Sequence, residues 1–223
     1  MTTIHHSSVE TPEADEPPQL ITPEVKCKIS SHHAATTHGL EIRKTKFGKG
    51  VFAKKEYRCG EIILRFKGRL YSKQAYLSKV KPEKCYYMQI DDEIFLGPTS
   101  SADNFVNHCC EPNAGLKKDK LKCFLVATQT IHIGQEITFD YSTSMAEDHW
   151  EMDCACGAPS CRGRIRDFKY LPRALQYKYI ELGIAPDFVM RSAGLFDPHD
   201  LFHANPVNPT NEMELVPFHI APA

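Results

Sequence analysis

Cys154, Cys156 and Cys161 fall in the run Cys-Ala-Cys-Gly-Ala-Pro-Ser-Cys-Arg-Gly, a C-x-C-x4-C spacing interrupted by Gly157 and Pro159. Those two residues bend the backbone so that the sulfurs can converge. Zinc in a closed structural site takes four tetrahedral ligands, with sulfur at about 2.3 Å. Three are local, so a fourth must come from elsewhere. The stretch Asn-Phe-Val-Asn-His-Cys-Cys-Glu-Pro-Asn, from Asn104 to Asn113, supplies Cys109 or Cys110. It also crowds amide and imidazole groups into a few residues and ends in Glu-Pro-Asn, which favours a turn. The segment reads as too polar for core and, at Phe105 and Val106, too apolar for a free loop. The plainer alternatives are buried thiols in a loop and a turn with a capping Asn.

Such residues need a scaffold. With 223 residues, 42% of them hydrophobic and 25% charged, the chain suffices for one globular domain with tails. A formal net charge of -1 excludes a domain-wide positive excess, so no direct nucleic-acid binding is expected, while a basic polypeptide remains a fitting partner. Nine cysteines, an odd count, and a start of Met-Thr-Thr-Ile-His-His without a basic-then-apolar segment point to a reducing, intracellular setting, cytoplasmic or nuclear, with thiols for packing or metal. No apolar run approaches the roughly 18 residues of a membrane span, so a soluble protein is expected.

Along the chain, Pro12, Pro17, Pro18 and Pro23 among acidic and Ser residues predict a disordered tail. Leu40 to Arg43 alternates like a half-buried strand, Lys46 to Gly50 makes a turn, and Val51-Phe52-Ala53 begins another strand. Further strands are predicted at Glu61 to Phe66, Cys123 to Thr128 and Glu136 to Tyr141. Tyr86 to Ile90 and Ile94 to Leu96 form a hairpin across Asp91-Asp92-Glu93. Tyr71 to Val80 reads as a short exposed helix. A helix after Pro172 is closed by Gly183, and a second runs from Pro186 to Ala193. Many short strands with glycine turns argue a mostly β domain.

Four motifs then stand in order: Phe47-Gly48-Lys49-Gly50-Val51-Phe52-Ala53, Phe105 to Asn113, Gly134-Gln135-Glu136-Ile137-Thr138-Phe139-Asp140-Tyr141, and the C-x-C-G-x3-C-R-G run. Together they resemble the SET domain followed by its post-SET zinc module. The resemblance implies a protein lysine N-methyltransferase that uses S-adenosylmethionine and acts on a protein or peptide bearing a lysine. The implied fold is mostly β with short helices, built of small curved β-sheets with a knot-like crossing, a post-SET zinc loop and a helical C-terminal segment. Residues 1–37 would be a disordered or loosely packed tail, 38–146 the SET domain, 147–170 the zinc module, 171–193 the helical segment and 194–223 a Pro-rich extended tail.

By position, Lys46, Phe47, Gly48, Lys49 and Gly50 would bind the cofactor, the glycines letting backbone approach its methionine part. Asn107 and His108 would hold cofactor groups by hydrogen bonds, and Tyr141 would be the catalytic tyrosine and a cofactor contact. Cys110, Cys154, Cys156 and Cys161 would bind structural zinc. Tyr86, Tyr87, Phe139, Phe168 and Tyr170 would wall the lysine channel. Asn104 departs from the Arg of many histone-directed members, and Cys109 from the usual Ser before the zinc cysteine, which marks a divergent member.

The chemistry also follows from elementary considerations. Methyl transfer from a sulfonium is an in-line displacement that needs a neutral amine. Lysine, with a reference pKa of about 10.4, costs roughly 4 to 5 kcal/mol to deprotonate at pH 7. A narrow aromatic channel beside a cation lowers that cost, and a tyrosine hydroxyl can orient the amine without adding charge. Phe139, lacking a hydroxyl, leaves room for more than one methyl. An enzyme for a small amine and a non-catalytic peptide-binding module are the competing readings.

Overall fold

The computed structural model describes residues 39–79 and 86–195; the tail expected over 1–37 and the Pro-rich tail beyond residue 195 lie outside the described residues. In chain order the elements are β1 (Leu40–Thr45), β2 (Gly48–Ala53), β3 (Ile62–Phe66), β4 (Leu70–Ser72), α1 (Lys73–Leu77), β5 (Met88–Asp91), β6 (Ile94–Leu96), β7 (Asn107–His108), β8 (Ala114–Asp119), β9 (Lys122–Ala127), β10 (Glu136–Phe139), β11 (Met152–Asp153), β12 (Arg164–Ile165), α2 (Arg173–Glu181) and α3 (Asp187–Ser192). The fold is mostly β, in small sheets ordered β1-β2-β10-β7, β3-β9-β8, β4-β6-β5 and β11-β12.

Alternation of apolar and polar residues explains the strands. The β1–β2 hairpin pairs Leu40 with Ala53 and Thr45 with Gly48, and its inner face delivers Val51 and Ala53 to the core. Val51, Ile63, Leu116, Leu125, Ile131 and Ile137 are all but fully buried, each side chain stabilising the fold by roughly 1.5–3 kcal/mol. The pairing that matters for function is parallel and non-local. Thr138 stands beside Asn107 and Phe139 beside His108, so the polar stretch lies along the strand that leads to Tyr141.

Several local expectations change. The turn before β2 is confined to Lys46 and Phe47, because the strand already begins at Gly48. The hairpin at Asp91 forms, but its first strand starts at Met88 rather than Tyr86. α1 is not simply exposed: Tyr76 is fully buried and stacks on Phe95 with ring centroids 4.0 Å apart. β8 was not anticipated, since Gly115, Lys117 and Lys118 blur its pattern; pairing along the whole of β9 overrides that weak local preference. Asp91 and Asp92 are engaged internally, with Lys118 on Asp91 and Arg191 of α3 on Asp92, both at 2.6 Å.

α2, α3 and the connection between them pack through Tyr179, Ile184, Phe188 and Val189 against Val126 and Phe168 in a second apolar cluster. No helix among the described residues is long and apolar enough to cross a membrane. Among the described residues Cys109, Cys110, Cys123, Cys154, Cys156 and Cys161 carry free thiols.

Candidate active site and metal centre

The sulfurs of Cys110, Cys154, Cys156 and Cys161 all lie within 4.8 Å of one another. Cys110 and Cys154 are 3.9 Å apart, and Cys161 and Cys154 3.7 Å. Four sulfurs placed tetrahedrally around zinc at about 2.3 Å would be separated by about 3.8 Å, so this donor set fits the ion. Burial pushes the Cys154 thiol up to about 11. Cys156, although burial opposes it, is pulled down to about 6 by backbone hydrogen bonds from Cys110 and Ala158 and by neighbouring thiols. A dication among the four sulfurs would favour every thiolate at once. Cys109 stands outside this group of four although its thiol lies beside Cys156, and its sulfur accepts the Glu111 N–H at 3.4 Å.

His108 connects this cluster to Tyr141. Its Nδ1 accepts the Tyr141 backbone N–H at 3.2 Å, which leaves Nε2 to donate to the Cys110 sulfur at 3.4 Å. Burial, aided by the Arg162 charge, lowers its pKa to about 4 against the pull of Asp140, so the ring is neutral. The stretch judged too polar for core is therefore partly core: Val106, His108 and Cys110 are buried, because their polar atoms find partners. The Asn107 amide donates to the Lys49 carbonyl at 3.0 Å and to Glu136 at 2.7 Å.

Two clefts flank Tyr141. The first is walled by Phe66, Tyr87, Val106, Phe139, Tyr141 and Trp150, with Tyr86, Asp103 and Asn104 also lining it. The second is lined by Phe47, Asn107, His108 and Tyr141 together with Met152, Asp153 and the zinc-loop residues Cys154, Ala155 and Cys156. The Tyr141 hydroxyl donates to the Val106 carbonyl at 2.8 Å, and burial first, then Glu136, raises its pKa well above the usual tyrosine range, so the phenol stays neutral.

The expected site residues are thus unequally placed. Tyr86, Tyr87 and Phe139 line the first cleft, and Asn107, His108 and Phe47 the second. Lys46, Gly48, Lys49 and Gly50 line neither. Lys46 Nζ reaches the Ala155 carbonyl at 2.9 Å, and Lys49 lies over the Phe105 ring. Gly48 is required by its φ of +105°, and a Cβ on Gly50 would lie 2.4 Å from the Glu136 carboxylate and 3.0 Å from the Asn107 amide. In this structure the two glycines meet a backbone and a packing requirement.

Phe168 is fully buried against Val126 and the C-terminal helices, where apolar packing takes the whole ring, and it lines neither of these two clefts. Tyr170 is half exposed beneath Arg166 and donates to Asp148, outside the lining of either cleft. The aromatic wall from beyond Tyr141 is Trp150, its ring 6.1 Å from that of Tyr141. Its being the chain's one tryptophan, close after the Tyr141 motif, is the signal for it in the sequence.

The protein-family model described as the SET domain matches residues 48–142. A variant-silencing SET domain-containing protein of Plasmodium falciparum is 29% identical over 153 residues, covering 61% of this chain and 6% of its own. The histone-lysine N-methyltransferase trithorax of Drosophila melanogaster is 29% identical over 126 residues, covering 52% of this chain and 3% of its own. The chain thus spans only a small part of these relatives. A crystal structure of KRYPTONITE in complex with mCHH DNA, an H3(1-15) peptide and SAH has a TM-score of 0.47 at 25% identity, covering 57% of this chain and 29% of that one.

Proposed function

From the premise that residues 48–142 are a SET domain, we propose that the protein is an S-adenosylmethionine-dependent N-methyltransferase of protein lysine side chains. The observation that carries this is the position of Tyr141, which lines both clefts at once. An amine entering the aromatic cleft and a methyl donor seated in the polar one would meet at that ring. The relatives named as histone-lysine N-methyltransferases agree with the reading.

Bound S-adenosylmethionine supplies an electrophilic methyl group on a sulfonium. Phe47, Asn107, His108 and the zinc-loop backbone at Ala155 would hold it, and zinc on Cys110, Cys154, Cys156 and Cys161 would keep that loop in place. The aromatic walls, Phe66, Tyr87, Phe139 and Trp150, exclude water and disfavour ammonium, so the lysine is delivered neutral. Tyr141, with its proton on the Val106 carbonyl, offers a lone pair to orient the amine and adds no negative charge. Lysine-bearing proteins or peptides are the substrates, in a cytoplasmic or nuclear setting. No direct nucleic-acid contact is expected; a salt-sensitive shift with duplex DNA would revise that. SET domain boundaries at 38–146, followed by a zinc module over 147–170 and a helical segment over 171–193, complete the reading.

Incubation of the protein with labelled S-adenosylmethionine and a panel of proteins, peptides and small amines tests it. Label is expected on lysine in proteins or peptides, with Tyr141→Phe reducing transfer by at least about a hundredfold while cofactor binding is kept. Label confined to small amines, or peptide binding without turnover, overturns it. Phe139, which packs edge-on to Phe66 at 5.8 Å and brings no hydroxyl to the cleft, predicts dimethylated or trimethylated product by mass spectrometry. Monomethylation alone at long times would contradict that.

A further inference from the structure

Next to Tyr141 in sequence, Asp140 is a carboxylate with 1% of its surface exposed. Its oxygens accept from Arg162 at 2.8 and 2.7 Å in a bidentate pair, from the Tyr179 hydroxyl at 3.0 Å and from the Ser142 N–H at 3.1 Å. These partners come from three places: the zinc loop, α2 and the 3-10 turn Tyr141–Ser144 that Asp140 caps. Arg162 has a second connection, since its backbone N–H donates to the Cys110 sulfur at 3.4 Å. Tyr179, 2% exposed, lies beyond the residues matched by the SET family and stands on a helix anchored by Gln176, whose amide donates to the Phe168 carbonyl at 2.9 Å.

A buried ion pair contributes little net stability, because desolvation offsets the Coulombic attraction, but losing one member strands the other charge. What this arrangement does well is define an orientation. The fork of Arg162 and the hydroxyl of Tyr179 hold the carboxylate from two directions, and the carboxylate holds the turn whose first residue is Tyr141. His108 and Val106 fix the Tyr141 backbone N–H and hydroxyl, and His108 reaches the cluster at Cys110, but neither ties the turn to Arg162 or to α2.

The geometry points to Arg162 and Tyr179 as positioning residues that act through Asp140 to aim the Tyr141 ring between the two clefts, making α2 a working part of the site. This inference rests on the methyltransferase reading for its kinetic consequence, and on the hydrogen-bond geometry alone for its structural one. Misplacing a reacting group by about 1 Å can lower a rate a hundredfold, and loss of one hydrogen bond to a charged group is expected to lower turnover about tenfold.

The experiment uses the full chain with its zinc and compares Tyr179→Phe with Tyr177→Phe, an exposed tyrosine on the same helix. Hydrogen exchange, zinc content, and kcat and KM for the cofactor are measured on each. For Tyr179→Phe, faster exchange over 140–144, unchanged zinc, unchanged KM and a kcat lower by about tenfold are expected; Tyr177→Phe should match the wild type. Unchanged exchange over 140–144, or a loss spread equally over the β3-β9-β8 sheet, overturns the inference. So does an unchanged kcat in an active enzyme. If the wild type methylates nothing, the activity proposal fails while the exchange result still decides this one. Arg162→Lys should recover part of the exchange protection lost in Arg162→Met, since charge returns without the fork; no difference between them also counts against it.

Discussion

The sheet core and the zinc loop hold together by different means. In the sheets, Val51, Ile63, Leu116, Leu125, Ile131 and Ile137 bury nearly all their surface in one continuous cluster. The segment from β11 to β12 has strands of two residues each, and the apolar cluster around it buries, among the described residues, just Cys110, Met145, Trp150 and Ile165. Its remaining ties are polar: Lys46 to the Ala155 carbonyl at 2.9 Å, Ser160 to Glu111 at 2.7 and 3.0 Å, and Arg162 to Asp140. Apolar burial alone would not order such a loop, and a metal on the four sulfurs would supply what it lacks. Yet this loop walls the cleft assigned to the cofactor. Stability and activity should therefore respond to different insults.

Removal of the metal is the sharpest way to break that contrast. Chelation is expected to abolish methyl transfer and to release 152–165 to rapid hydrogen exchange, while far-UV circular dichroism from the sheets persists. A single cooperative collapse of both regions, or a protein purified without chelator that contains no zinc, would remove the distinction. Leu125→Ala attacks the other side. It should lower the free energy of unfolding by about 2–5 kcal/mol, read by denaturant titration, with about one zinc per chain retained at 25 °C. Loss of zinc in the folded variant would show that the regions are more tightly coupled than their packing indicates. The smallest effect belongs to Cys109→Ser. Its sulfur stands outside the four-thiol group, where it accepts the Glu111 N–H, so metal content and melting temperature should match the wild type. A halved zinc content would move Cys109 into the ligand set.

Most of the scaffold was legible because it is local. Alternation at Leu40 and Ile42, glycine at the start of β2, and Pro172 and Gly183 around α2 each declare a strand, a turn or a helix end within a few residues. β8 was illegible for the converse reason: its apolar content is thin, and only pairing with β9 makes it a strand. Aromatic residues near the site were legible as a class, not individually. Phe168, Tyr170 and Trp150 follow the same motif, but the C-terminal helices bury the first, the second lies at the surface and the third enters the cleft.

The sequence by itself determined the chemistry on offer: thiols at C-x-C-x4-C spacing, an Asn-His pair, a tyrosine after a β-rich run, and the β character of their scaffold. Composition and short-range spacing encode these, because they depend on side-chain type and backbone preference alone. Only the tertiary structure decided which of Cys109 and Cys110 joins the other sulfurs. Both cysteines lie in the connection between β7 and β8, and the packing of distant segments sets which sulfur completes the group. It also decided that β7 runs beside β10, that Tyr141 borders two clefts, and that a buried Asp140 meets Arg162 and Tyr179. Each of these is a contact between distant segments, fixed by how the sheets and helices pack together and by the need to partner every buried polar group.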